Sequence, residues 1–458
     1  MFTLPGLIAL LVAHCTKVHE MSTLLRALPV MPTLYLLATG GFLLDLRLGV
    51  LHAEACPQVR LVLPLWLWTL VSAGMNGGFG MVTREINLTL SYMLIFLLVA
   101  HSLQSFRALR IMAMFLLTLT LFLGIVAFIQ AFSPFQCILL AANDIPDFRT
   151  RSDGRACETP ADCRVNAEPG EEYICERPGP LGTTTIGEGR VRYRGILEDP
   201  NELALALAIV LPFAMAALSQ RRSLVRLLIV AFAFAIVLPV VIWTQSRTGQ
   251  IAFVVVVAAF LLNKISWKGL LMVAVLAAPA LMLGGRSGES ADESSLERLE
   301  AWVTGINMLK SSPLWGIGKG QFSEYYYITA HNTFVLEAAE LGLIGMILWV
   351  SVLYTAFKIV ILAIRRYRDR ADARVPYIRA RALRASLCGI VVGTNFLSLG
   401  YHPLIWTYFA LPGAFYLATR RHDPEFRIVF GMRDLLSVSG FSIVWLIGVK
   451  IYLMSKGL

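Results

Sequence analysis

Long runs of apolar residues with almost no charge are the feature that most restricts the fold of this chain. Residues 111–132, 201–219 and 224–243 are three such runs, and each has close to the ~20 residues that a helix needs to cross a ~30 Å hydrocarbon core. Strands of a membrane barrel would alternate apolar and polar residues instead. Of the 458 residues, 57% are hydrophobic and only 15% are charged, against about 25% charged in soluble globular proteins. The sequence therefore predicts an all-α, polytopic transmembrane helical bundle and excludes a soluble enzyme.

The same pattern predicts about 12–13 spans. The first apolar stretch, 4–13, lacks the basic region and the small-residue cleavage site of a signal peptide. His14 before Cys15 does not fit a lipoprotein cleavage site either, so we interpret this stretch as a short first span. The expected spans are 3–15, 27–46, 61–74, 87–104, 109–132, 200–219, 224–243, 249–263, 268–284, 331–362, 385–400, 403–419 and 438–454.

Basic residues between the spans set the expected orientation. The densest run is 365–370, and it continues through Arg374, Arg379, Arg381 and Arg384. Because so many arginines in a short loop resist translocation, we expect this loop on the cytoplasmic side of the bacterial inner membrane, together with the N-terminus. The net charge of +10 therefore reports topology and does not predict a nucleic-acid partner.

Counting spans from this loop divides the chain into five segments. Residues 1–132 are expected to form N-terminal transmembrane helices, 196–284 a core group of helices, and 331–458 the C-terminal helices. Two long segments then lie on the periplasmic side, a cysteine-containing loop at 133–195 and a second loop at 285–330 that contains an amphipathic helix.

Four of the seven cysteines, Cys137, Cys157, Cys163 and Cys175, lie in the first of these loops. Clustered cysteines on an oxidising face predict two disulfides, and the sequence leaves all three pairings open. A metal cluster is the alternative, but the spacing lacks the paired CxxC of zinc sites and no histidine lies nearby. Disulfides also agree with a periplasmic position, since a cytoplasmic compartment would keep these thiols reduced.

Basic and polar residues cluster in four places at the predicted outer face. In the first, Arg190, Arg192 and Arg194 run toward Asp199 and Pro200 at the start of a span. The aspartate and proline are a helix N-cap and a first helical residue. No structural role is evident for the arginines, which suggests an anionic ligand, although lipid headgroups would also bind them.

In the second cluster, Ser246, Arg247 and Thr248 lie in a short turn between two spans. The arginine could extend to the membrane interface without further function. Beside two hydroxyl groups and the start of a helix, it could equally bind phosphate oxygens, because helix N-termini favour anions and arginine binds them through two donors. We favour the anion-binding interpretation.

The third cluster contains a predicted amphipathic helix. Ser294 and Glu297 have the spacing of a capping box, and an apolar stripe follows along one helix face. Arg298 lies on this helix, where a charged side chain often faces solvent or headgroups. The glycines at 316–320 follow no predicted strand, so they indicate a close-packed turn and not a dinucleotide site.

The fourth cluster is His331 and Asn332, which lead into a span carrying Glu337 and Glu340. An interfacial histidine is more often a hydrogen-bonding anchor than a catalyst, but this one shares the outer face with several arginines. Carboxylates inside a membrane are costly without a partner or a role. Because no DxD pair and no metal-ligand spacing occurs in the outer loops, we expect a site without metal or cofactor, in which arginines neutralise charge.

In order and spacing, these residues resemble the O-antigen ligase and Wzy-type polymerase family of bacterial membrane glycosyltransferases. The resemblance covers roughly residues 190–350, while the cysteine loop and the thirteenth span depart from the family pattern. The residues that carry it are Arg194-Gly195 before Asp199-Pro200-Asn201, Ser246-Arg247-x-Gly249, Arg298 with Trp302, Pro313, Gly316-x-Gly318, and His331-Asn332 before Glu340-x-Gly342-x-x-Gly345.

The resemblance implies transfer of a glycan from undecaprenyl diphosphate to an acceptor hydroxyl at the periplasmic face. The implied partners are the lipid-linked glycan donor, a glycan or lipid A-core acceptor, and the bilayer. A diphosphate leaving group needs charge neutralisation, which fits Arg194, Arg247 and Arg298. His331 has a pKa range suited to a general base for the acceptor hydroxyl. The supporting residues are then Ser246, Asn332 and Glu337.

Two alternatives stay open at this point. Ligase and polymerase differ in the acceptor, and no residue decides between them. A flippase or transporter of lipid-linked oligosaccharide is a different class, and it would predict charges at the bilayer midplane and broken helices in related halves. The sequence shows no such repeat, and its charges gather at one face.

Overall fold

The computed structural model describes residues 1–21, 23–140, 151–165, 172–187, 189–193, 197–261 and 289–458. Its strands are β1 (Gln136–Leu140), β2 (Arg151–Ala156) and β3 (Glu172–Glu176). Its α-helices are α1 (Thr3–Thr16), α2 (Val18–Met21), α3 (Thr23–Arg26), α4 (Val30–Arg47), α5 (Val59–Ser102), α6 (Phe106–Phe132), α7 (Pro160–Arg164), α8 (Pro200–Gln220), α9 (Leu224–Trp243), α10 (Arg247–Leu261), α11 (Glu289–Ser311), α12 (Phe322–Tyr325), α13 (Thr333–Tyr367), α14 (Arg374–Phe396), α15 (Pro403–Arg420) and α16 (Met432–Ser455).

The chain packs as two compact units. Unit 1 comprises Met1–Leu44 and Ala113–Gly285, and unit 2 comprises Asp45–Met112 and Arg286–Leu458. In the described part of the chain, six helices are long and apolar enough to cross a membrane, namely α5, α6, α8, α9, α13 and α16. The predicted all-α polytopic bundle is confirmed. The predicted span at 268–284 lies outside the described residues.

Helix α5 is a hairpin of two helices that meet at Gly78. This glycine has φ 64° and ψ −158°, a backbone region that is essentially restricted to glycine. The indole of Trp66 donates a hydrogen bond to the Thr89 hydroxyl at 3.0 Å. In a straight helix these two residues would be about 35 Å apart, so the chain must fold back between them. The separate spans predicted at 61–74 and 87–104 correspond to the two arms.

Helix α13 is broken in the same way at Gly342, which has φ 70° and ψ −173°. The rings of Phe334 and Trp349 lie 5.6 Å apart, whereas a straight helix would separate them by about 22 Å. We name residues 333–341 the short arm and residues 343–367 the long arm. The prediction of one continuous span at 331–362 is therefore wrong, because an apolar run does not reveal a positive φ at a glycine inside it.

The arginine-rich segment is mostly helical. The prediction treated residues 365–384 as a loop, but Arg365 and Arg366 end α13 and α14 already begins at Arg374. Arg381 is only 2% exposed, which a loop arginine would not be. The connection between the two helices is therefore short, and the predicted extent of the loop is wrong.

The described parts of the cysteine-containing loop form an antiparallel sheet in the order β2-β1-β3, which the sequence analysis did not predict. The expected pair of disulfides is confirmed and the pairing is settled, with Cys137 bonded to Cys163 and Cys157 bonded to Cys175. The first disulfide joins β1 to α7, and the second joins the residue after β2 to β3. The free thiols are Cys15, Cys56 and Cys388.

Candidate functional site

The predicted site residues fall into two groups, and each group lies within one unit. Arg194 lies outside the described residues. Unit 1 contains Ser246 and Arg247, and unit 2 contains Arg298, His331, Asn332 and Glu337.

The turn between α9 and α10 is built around Ser246. Its buried hydroxyl oxygen accepts a hydrogen bond from the Gly249 N–H at 3.0 Å, which caps the N-terminus of α10. A Cβ at Gly249 would lie 2.2 Å from the Cβ of Ala204, so this glycine lets α10 pack tightly on α8. Arg247 is the first residue of α10, and its side chain is exposed. Ser246 thus serves the helix start, while Arg247 is the candidate anion ligand at the helix N-terminus.

Two of the arginines ahead of α8 have structural roles. Arg190 Nε donates to the Thr244 carbonyl at 3.0 Å, which ties this segment to the turn that carries Arg247. Arg192 is 8% exposed and its Nε donates to the Thr184 carbonyl at 3.1 Å. Burial lowers the pKa of the Arg192 guanidinium. The interpretation that these arginines lack a structural role is therefore wrong for both of them.

The start of α8 follows the local signals in the sequence. Asp199 caps the helix by accepting from the Asn201 N–H at 2.8 Å, and Pro200 is the first helical residue, as predicted. The predicted N-terminus of α11 is wrong by contrast, because the helix begins at Glu289 and Ser294 therefore lies inside it. Ser294 and Glu297 have the spacing of a capping box without forming one.

Helix α11 carries Arg298, and it contacts the residues that come just before His331. Trp302, one turn after Arg298, donates from its indole nitrogen to the Ala330 carbonyl at 2.8 Å. Side chains four residues apart lie on the same face of a helix. Glu297 accepts from the Tyr327 hydroxyl at 2.7 Å, a second contact between the helix and this segment. Arg298 therefore lies one helical turn from Trp302, and Trp302 bonds to Ala330, the residue directly before His331.

His331 and Asn332 begin the short arm. His331 is half-buried and has φ 45°, a left-handed conformation that non-glycine residues rarely adopt. Asn332 is the N-cap, since its Oδ1 accepts from the N–H groups of Phe334 and Val335 at 3.0 and 3.2 Å. Its amide nitrogen donates to the Asn395 carbonyl at 3.0 Å. Asn332 thus fixes the start of the helix directly after His331, so its contribution to the site is to hold this segment in place.

Glu337 is buried in the middle of the short arm. Its Oε2 accepts from the Tyr401 hydroxyl at 3.3 Å. Its Oε1 has no hydrogen-bond partner in the described part of the chain, and it lies 1.8 Å from where a Cβ on Gly400 would stand. The carboxyl group therefore packs against the backbone of the connection between α14 and α15.

Beside the break at Gly342, the carbonyl groups of Ala339, Glu340 and Leu341 accept hydrogen bonds from other segments of the chain. Residues 313–321, the glycine loop, donate from Ile317 N–H to Ala339 at 3.0 Å and from Gly318 N–H to Glu340 at 2.9 Å. The Trp68 indole, on the first arm of α5, donates to Leu341 at 2.9 Å. Irregular backbone inside a membrane protein requires this kind of internal satisfaction. The predicted close-packed turn at these glycines is thus found in the structure.

A buried ionic cluster lies beside this junction, and it was not predicted from the sequence. Lys319 Nζ lies 3.3 Å from Glu85 Oε2, and both side chains are less than 10% exposed. The ammonium also lies over the ring of Tyr401, 4.3 Å from its centroid, and 5.5 Å from that of Tyr92. We name the following residues the Lys319 cluster: Glu85, Tyr92, Lys319, Glu337, Glu340 and Tyr401.

Two features of the sequence could have indicated this cluster. Lys319 is a lysine between two glycines, on a stretch already predicted to be a close-packed turn. Glu85 is an acidic residue between two expected spans. Neither residue carries a recognisable partner nearby in sequence, because the pair joins segments far apart along the chain.

Comparison with known families gives one match, which covers part of the chain. Residues 232–350 match the sequence model of the O-antigen ligase family. The chain carries an O-antigen ligase family domain. The O-antigen ligase segment contains Arg247, Arg298 and His331, and it also includes the glycine loop and the short arm. No curated protein matches the chain. Over the residues that it covers, the match supports the family assignment drawn from the sequence.

Proposed function

We propose that the protein is a membrane glycosyltransferase. Its donor is a glycan linked through a diphosphate to undecaprenol, and its acceptor is a hydroxyl group of a second glycan or of lipid A-core. The observation that carries the proposal is the match at 232–350, because it contains Arg247, Arg298 and His331, residues that this chemistry needs. Each of them lies at or next to the start of a helix or on a helix tied to that start.

The arginines are proposed to neutralise the diphosphate. A diphosphate is a good leaving group once its charge is balanced, so it needs positive charge more than it needs a proton. Arg247 at the N-terminus of α10 combines a guanidinium with a helix end that favours anions. Arg298 and Arg194 are assigned the same role. In this scheme the arginines take the part that a divalent ion has in other glycosyltransferases.

His331 is proposed to be the general base. It takes the proton of the acceptor hydroxyl while the acceptor oxygen forms a bond to the anomeric carbon. The bond from that carbon to the diphosphate breaks, and the electron pair leaves with the phosphate oxygen. A single displacement of this kind inverts the anomeric configuration. A base must be neutral at the working pH, and an imidazole can meet that condition near neutral pH.

The proposed place of the reaction is the periplasmic face of the bacterial inner membrane, with the N-terminus in the cytoplasm. The disulfides at Cys137 and Cys157 support this orientation, because they form on an oxidising side. The arginines at the junction of α13 and α14 support a cytoplasmic position for that end.

A flippase or transporter is the second candidate, and one observation favours it. The break in α13 at Gly342 lies beside the buried Lys319–Glu85 pair, and broken helices with buried charge are common at transport sites. The family match is the reason to rank this candidate second.

The surface glycan of a deletion strain separates these functions. Single-repeat products identify a polymerase, an uncapped lipid A-core with full-length lipid-linked polymer identifies a ligase, and donor that accumulates on the cytoplasmic side identifies a flippase. We expect one of the first two results. Purified protein should then form the glycosidic bond from lipid-linked donor without an ion gradient, and a protein that only moves the donor across vesicles would contradict the proposal.

A further inference from the structure

Lys319 is held in surroundings that a free lysine would avoid. The residue is 7% exposed, and the desolvation of an ammonium group is costly unless charges and dipoles replace water. Glu85 supplies the opposite charge at 3.3 Å. The faces of Tyr401 and Tyr92 supply the negative side of two aromatic rings. The ammonium is therefore fixed from several directions.

The contacts of the Lys319 cluster join four separate segments of unit 2. Glu85 belongs to the second arm of α5, Lys319 to the glycine loop, and Tyr401 to the connection between α14 and α15. The fourth segment is the short arm of α13, which contributes Glu337 and Glu340. Tyr401 donates to Glu337 at 3.3 Å, and Glu340 Oε1 accepts from the Phe322 N–H at 3.2 Å. These bonds attach the short arm to the connection between α14 and α15 and to the start of α12, and Lys319 links Tyr401 to Glu85.

Lys319 is the central member by its contacts. Its ammonium forms the ion pair with Glu85 and lies over the ring of Tyr401, and Tyr401 in turn bonds to Glu337 of the short arm. Loss of the ammonium would leave Glu85 buried without its cation and would remove the group that the Tyr401 ring packs against. Removing one partner of a buried pair is more damaging than removing both, since an uncompensated charge is left behind.

The short arm needs such lateral support. Residues 333–341 form a helix of only about 13 Å, which offers few intrahelical hydrogen bonds to hold its position. Its N-cap is Asn332, and His331 directly precedes that cap. A shift of the short arm would therefore shift His331.

We propose that Lys319 is a positioning residue for the transfer reaction, because it fixes the short arm that presents His331. This inference rests on the proposed role of His331 as the base. Misplacement of a reacting group by about 1 Å can cost about 10²-fold in rate, so loss of Lys319 should lower kcat far more than donor binding.

The test compares four variants of the full-length protein in detergent or nanodiscs. Lys319→Met removes the charge and keeps the stem, and Lys319→Arg keeps the charge. Lys319→Met combined with Glu85→Gln removes the pair. Lys310→Met is the matched control, because Lys310 is exposed on α11 and its ammonium donates a hydrogen bond to Asn307 of the same helix at 3.0 Å. Hydrogen exchange of the short arm, kcat and donor KM are measured for each.

For Lys319→Met we expect exchange of the short arm to rise by at least about 10-fold while exchange in α8 is unchanged. We also expect kcat to fall by about 10²-fold with donor KM changed less than about 3-fold. Lys319→Arg should keep both values near wild type, and the double variant should lie between. If Lys319→Met does not fold, the double variant provides the same comparison of short arm against α8.

Normal exchange of the short arm in Lys319→Met, or in the double variant, would overturn the inference. Exchange that rises equally in α8 and the short arm would also overturn it, because it would show a general structural role. Failure of the proposed function looks different. In that case His331→Gln would keep normal turnover, while Lys319→Met would still raise exchange of the short arm.

Discussion

Replacing Gly342 with alanine should disrupt the junction between the short arm and the glycine loop, and the same change at Gly78 is its matched control. Both glycines have φ near 65–70° with extended ψ, a conformation that costs a residue with a Cβ on the order of 1–3 kcal/mol. Gly78 has open space around its missing Cβ. At Gly342 a Cβ would lie 2.2 Å from the Leu314 carbonyl oxygen. Both substitutions therefore carry the cost of the backbone conformation, and Gly342→Ala adds an overlap with the glycine loop.

The hydrogen bonds at the junction set the expected difference in unfolding free energy between the two variants. The Leu314 oxygen is backbone, so relief of the overlap requires the glycine loop to move away from the break in α13. That movement breaks three backbone bonds, Ile317 to Ala339, Gly318 to Glu340 and Leu343 to Pro313, at 2.9–3.0 Å. At about 0.5–1.5 kcal/mol each, these bonds contribute about 1.5–4.5 kcal/mol to stability. With the backbone cost added, Gly342→Ala should lower the free energy of unfolding by about 2.5–7.5 kcal/mol.

Thermal unfolding of the purified variants in one detergent, at one scan rate, measures the contrast. Gly78→Ala should unfold slightly below wild type, and Gly342→Ala should unfold well below Gly78→Ala or fail to accumulate in membranes. Equal unfolding temperatures for the two variants would refute the reasoning, because the loop contact at Gly342 would then carry no free energy.

Two further predictions concern covalent structure and charge. Thiol alkylation of the denatured, unreduced protein should label the three free cysteines and none of the four loop cysteines, and labelling of all seven would contradict both the pairing and the periplasmic position. Arg247→Ala should lower transfer by orders of magnitude with normal abundance, and Arg247→Lys should recover only part of it because lysine lacks a planar pair of donors. Arg222→Ala, at an exposed arginine between α8 and α9, is the control, and equal transfer by the Arg222 and Arg247 variants would refute the assignment.

Features coded by local sequence could be predicted here. The apolar blocks gave the fold class, and Asp199 with Pro200 gave the start of α8, since a cap depends on residues within one turn. The four clustered cysteines indicated disulfides, but their pairing depends on a sheet whose strands the sequence did not reveal. Ser294 shows the limit of local signals, because a capping pattern can occur inside a helix that begins earlier.

Features that depend on distant partners could not be predicted. Gly342 lies within a long apolar run, and only its contact with the glycine loop shows that the helix turns back there. Lys319 and Glu85 belong to different predicted segments, and neither segment shows that the two residues form a pair. Arg192 looked like a ligand because its acceptor, the Thr184 carbonyl, is supplied by a loop without a pattern. In each case tertiary contact decides the role of the residue.

The central claim is that His331 takes the proton of the acceptor hydroxyl, and the measurement that tests it most directly is transfer by purified His331→Gln with donor affinity measured alongside. Glutamine keeps size and hydrogen bonding but cannot act as a base. General-base catalysis contributes about 10²–10⁴-fold, so we expect turnover to fall by that factor while donor affinity stays near wild type. Turnover close to wild type would contradict the account and leave the arginines as an anion-binding site without a base.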